Sequence, residues 1–129
     1  MDVVHLHLLV GWGSSLMGVL SGALIGLFFH KDEWFGGYSS FRRRMTRLGH
    51  ISFFGLGLLN LLFAFSMRLA PLSPSYARVA SIGFVLGAIS MPICCFLTAW
   101  RPYFRYLFPI AVLAVGTGVG LVFVGYILQ

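Results

Sequence analysis

The sequence predicts an all-α, polytopic integral membrane protein, an antiparallel four-transmembrane-helix bundle occupying residues 1–129 as a single domain. Three observations carry that expectation. Four apolar stretches, Leu6 to Phe29, Leu48 to Met67, Val79 to Trp100 and Tyr106 to Leu128, each hold about the ~20 residues with which a helix crosses a bilayer core. None of the four contains Lys, Arg, Asp or Glu. Hydrophobic residues make up 59% of the chain and charged ones 9%, far from the balance of a soluble domain. The breaks between stretches are too short to bury a core of their own.

The first stretch reads as a retained helix rather than a signal peptide, because its only early charge is Asp2 and its apolar run is long. Ser14, Gly18, Gly22 and Gly26 recur at every fourth residue. That spacing predicts a groove on one face, the small-xxx-small contact through which membrane helices approach closely. The second stretch opens with His50 and carries Gly57 and Ala64 at seven-residue spacing, with Asn60 beside them. Pro71 and Pro74 stop either neighbour from running through the second break. On the third stretch Gly83 and Gly87 repeat the small spacing, followed by Ser90, Cys94 and Thr98 near that face, and Pro92 interrupts the hydrogen-bond ladder. Cys94 and Cys95 are vicinal, so on a helix they point about 100° apart and read as small apolar packing residues. The fourth stretch offers Ala114, Gly118 and Gly125 as its small face.

Basic residues orient the bundle. Lys31, Arg42, Arg43, Arg44 and Arg47 lie in the first break and Arg101 and Arg105 in the third, against only Arg68 and Arg78 around the second. The positive-inside rule then places breaks one and three in the cytoplasm and both termini outside, in a bacterial inner membrane. Trp34, Tyr38, Trp100, Tyr103 and Tyr106 fall near one membrane surface and Trp12, Tyr76 and Tyr126 toward the other, as interfacial belts do. Arg42, Arg43, Arg44 and Arg47 are the expected contacts for lipid headgroups or another anionic group. The net charge of +6 is therefore a topology signal, and no soluble basic face is left for nucleic acid. The expected partners are membrane lipids and other membrane subunits or further copies of the chain.

Acid–base chemistry is sparse. Asp2, Asp32 and Glu33 are the only carboxylates, and all lie outside the apolar stretches. Histidine is then the residue type through which chemistry enters, because an imidazole within a membrane helix needs a partner and is also a good ligand for haem iron. His50, His30 and His7 are the candidate cofactor-binding residues, with haem b or quinone as the cofactor. His30 and His50 fall on the same side of the membrane and are the pair expected to share an iron; His7 with Met67 forms a looser outer alternative. The expected function is that of a small subunit of a larger respiratory or photosynthetic electron-transfer complex, structural or haem-bearing. A stand-alone oligomeric enzyme or carrier for a lipid-soluble molecule is the alternative.

Overall fold

The computed structural model describes residues 2–128 and contains four long helices. They are α1 (Val3–Phe28), α2 (Phe41–Leu69), α3 (Pro74–Trp100) and α4 (Phe108–Ile127), with short 3-10 turns at Trp34–Gly36 and Pro102–Leu107. All four membrane spans are long and apolar enough to cross a bilayer, and the chain is an integral membrane helical bundle. The start of α1, the end of α4 and the connection between α2 and α3 lie at one end, called here the terminal end. The two longer connections lie at the other, the basic end.

Helices α1 to α3 extend past the apolar stretches. Helix α2 begins seven residues before Leu48, because Ser40 adopts an extended backbone and its hydroxyl accepts from the Arg43 N–H, so the basic run is drawn into the first turns. At the start of α3 Pro74 occupies the first turn, where its missing N–H costs nothing. Pro92 lies inside α3 without ending it and is fully buried.

Each helix packs chiefly on its neighbours in sequence, and α1 also touches α3. Helices α2 and α3 are therefore central, with 44% and 50% of their apolar spans buried, whereas α1 and the α4 span have 11% each and face outward. A cluster of Phe63, Leu72, Ala77, Ala80 and Phe84 fills the terminal end.

The small-residue faces set the helix spacing. On α3, a Cβ at Gly83 would meet the Ala114 carbonyl oxygen at 2.5 Å, and one at Gly87 would collide with Val115. These two glycines seat α4, as their spacing predicts. On α1 the expected groove is displaced. Gly11, Gly18 and Gly22 meet Leu61, Phe54 and His50 of α2, and Ser14 lies against Gly57, but Gly26 meets nothing within 4 Å. Four residues turn a helix by about 400°, so Gly26 lies ~80° from Gly18, whereas Gly11, seven residues back, lies only ~20° away.

Candidate functional site

Three helices converge on His7. Its residue exposure is 0%, as is that of Asn60. His7 Nδ1 lies 2.6 Å from Asn60 Oδ1 on α2, and His7 Nε2 lies 2.8 Å from Ser81 Oγ on α3. Asn60 and Ser81 stand nine residues before the end of α2 and seven after the start of α3, roughly 10–13 Å along each helix from the terminal end at 1.5 Å per residue. His7 and Ser81 thus lie just inside the terminal-end margin of the apolar stretches, which begin at Leu6 and Val79, and Asn60 lies deeper along α2.

The hydrogen-bond network assigns the protons. Asn60 Nδ2 donates to the Leu56 carbonyl at 2.8 Å and approaches the Phe84 carbonyl at 3.5 Å, which leaves Oδ1 to accept. His7 Nδ1 must then carry the hydrogen, and the Nε2 lone pair accepts from the Ser81 hydroxyl. Phe63 and Phe84 close the remaining sides, their rings edge-on to the imidazole at 4.7 and 6.4 Å between centroids. On the far side, Ser81 lines a cavity of about 450 Å³ at the terminal end, together with Asp2, Val3, Met67, Leu72, Ala77 and Arg78.

His7 is therefore no surface cap, and in this packing both of its ring nitrogens are hydrogen-bonded. Helix α1 starts at Val3, so residue 7 is already one turn in, and α2 and α3 bring Asn60 and Ser81 alongside it. Met67 packs against the apolar cluster.

The other two candidate histidines are not brought into one such centre. His50 faces α1, where its Nδ1 lies 3.1 Å from Ser21 Oγ and its ring fits over Gly22, edge-on to Phe54. His30 is exposed just beyond the end of α1, eight residues and ~12 Å along the chain from Gly22. Room for a flat macrocycle beside Gly57 is filled by the Gly11 carbonyl, Ser14 and Ser15. Glycine here admits a helix and an imidazole.

At the basic end Arg43 departs from its expected headgroup contact. Its exposure is 3%. The guanidinium lies within 5.1 to 5.8 Å of the Phe29, Trp34 and Tyr38 rings, and its Nη1 and Nη2 donate to the Asp32 and Phe29 carbonyls at 3.3 and 3.1 Å. Only its buried Nε has no partner among the described residues. Arg43 folds the first connection over itself by cation–π contacts and hydrogen bonds. That connection reverses at Phe35, Gly36 and Gly37, all at positive φ. Arg42 and Arg44 remain outward, and Arg47 lies over Tyr38 at 4.5 Å.

A second cavity is apolar. A groove of about 410 Å³ runs between α2 and α4 over α3, lined by Leu59, Leu62, Phe63, Phe84, Val119 and Phe123, with Ser66 and Tyr126 among its polar neighbours. Leu62, Phe123 and Ile127 on its rim are 52%, 67% and 65% exposed, so it opens sideways, toward the surrounding membrane. The sequence signal for either feature was faint: Asn60 had been placed beside the small face of α2, but Ser81 stands 74 residues from His7. Comparison with known protein families, with curated proteins and with solved structures finds no match to this chain.

Proposed function

We propose that this chain is a small integral-membrane subunit that holds a lipid-soluble molecule of the quinone class in the groove between α2 and α4, within a larger electron-transfer assembly of the membrane. The observation that carries the reading is the groove itself: apolar, aromatic-walled and open sideways, so that a ligand enters from the hydrocarbon layer. Ser66 supplies a hydroxyl at its terminal end, suited to a quinone carbonyl, whereas the Tyr126 hydroxyl is donated to the Ala70 carbonyl at 2.9 Å. Association with other subunits is supported by glycines at which an added Cβ would meet nothing within 4 Å among the described residues, Gly13, Gly26, Gly55, Gly116 and Gly120. Gly is unfavourable within a helix and is used in membranes where another backbone approaches.

The test is equilibrium binding of a radiolabelled short-chain quinone to nanodiscs with and without the protein. Saturable excess binding is expected, and Val119→Trp, which fills the groove from its exposed side, should abolish it. Binding no greater than in empty discs, or unchanged in Val119→Trp, overturns the reading. A haem alternative has one supporting observation, that His50 Nε2 has no hydrogen bond among the described residues. It requires a Soret band that His50→Ala removes.

A further inference from the structure

We propose that Ser81, His7 and Asn60 form a nucleophilic relay that cleaves carboxylic esters of lipid-soluble acyl compounds entering the cavity at the terminal end. This activity is separate from the groove between α2 and α4, which lies beyond Phe63 and Phe84. Three properties of an activated serine coincide. The hydroxyl lies 2.8 Å from an imidazole nitrogen whose lone pair is free to take its proton. The opposite nitrogen carries its hydrogen toward Asn60 Oδ1 at 2.6 Å, which fixes tautomer and ring orientation, and Asn60 is itself held by the Leu56 carbonyl. This is the nucleophile, base and orienting-group order that recurs on unrelated folds. The third property is access: Ser81 is buried yet lines the terminal-end cavity, whose walls of Val3, Met67, Leu72 and Ala77 suit an acyl chain. Arg78, one helical turn before Ser81, and Asp2 line the same cavity and put charged groups beside its apolar walls.

The chemistry balances with water as co-substrate. Ser81 Oγ attacks the ester carbonyl carbon while its proton passes to His7 Nε2. The bond to the leaving alcohol then breaks, and His7 returns that proton to the departing oxygen, leaving an acyl-Ser81 ester. Water attacks this ester with His7 again as base, so that the free acid leaves and the Ser81 hydroxyl is restored. Asn60 is a positioning residue throughout and exchanges no proton.

An ordinary interhelical hydrogen-bond cluster makes no such prediction, and a lipophilic fluorophosphonate separates the two. The full chain in nanodiscs should be labelled covalently on Ser81, identified by mass spectrometry of the wild-type protein, and should hydrolyse 4-nitrophenyl decanoate above empty discs. His7→Gln should slow labelling by about 10²- to 10⁴-fold, the worth of a general base. Asn60→Leu should also slow it, and Asn60→Asp, which keeps an acceptor toward Nδ1, should restore it. The proposal is overturned if the wild-type chain stays unlabelled while a control serine hydrolase in the same discs reacts fully. It is equally overturned if the label resides on another residue, if wild-type protein shows no hydrolysis, or if folded His7→Gln labels at the wild-type rate.

Discussion

Replacing Gly83 by alanine tests the packing argument most directly. The new methyl carbon would lie 2.5 Å from the Ala114 carbonyl oxygen and 3.1 Å from the Gly118 amide nitrogen, whereas ordinary contact begins near 3.4 Å. Both obstructing atoms are backbone, so no rotamer change relieves them, and α4 must move away by roughly an ångström. Dispersion between closely packed atoms drives association in a bilayer, where lipid supplies no hydrophobic gain for helix pairing. Overpacking of this kind costs about 1–3 kcal/mol. The loss falls on one element, because α4 has α3 as its main partner. Gly116→Ala is the matched control, since its Cβ meets nothing within 4 Å and alanine favours the helix. Reversible unfolding in detergent, with a donor and acceptor pair on α3 and α4, should show Gly83→Ala destabilised by that amount and α4 separating first. Equal stability of Gly83→Ala and Gly116→Ala would refute the reasoning.

The remaining predictions concern other contacts. Arg43→Met should loosen the first connection, because two carbonyl hydrogen bonds and three ring contacts disappear together; limited proteolysis within residues 29–40 should accelerate several-fold, with Arg44→Met unchanged. Gly22→Leu should lower thermal stability more than Leu24→Phe, because a side chain at 22 displaces His50 while Leu24 is 62% exposed; similar melting of the two variants would remove Gly22 from the α1–α2 contact. If the basic residues orient the protein as the positive-inside rule requires, a membrane-impermeant thiol reagent added to intact cells should modify Ser73→Cys and spare Ser40→Cys, and the opposite pattern would invert the topology.

How much was legible beforehand differs from element to element. Four helices and their antiparallel order could be read from the chain alone, because the length of an uncharged apolar run must match the thickness of the hydrocarbon layer. The seats of α4 on Gly83 and Gly87 were legible for a related reason: a four-residue repeat of glycines has few uses in a membrane helix other than close approach. Periodicity alone did not say which members of the repeat meet α2: Gly18 and Gly22 do, whereas the same step carries Gly26 around the helix and away from α2. Arg43 could not be told from Arg42 and Arg44 by composition, since its burial depends on how the first connection folds back over α2. His7 is the clearest case. Local sequence places it near a membrane surface, and only the lengths and stagger of α1, α2 and α3 bring Asn60 and Ser81 to its two nitrogens. Hydrophobic length is a property of each segment taken alone, so the sequence by itself determined the spans; a polar site shared by three segments exists only once their relative depth is set, and the tertiary structure decided that.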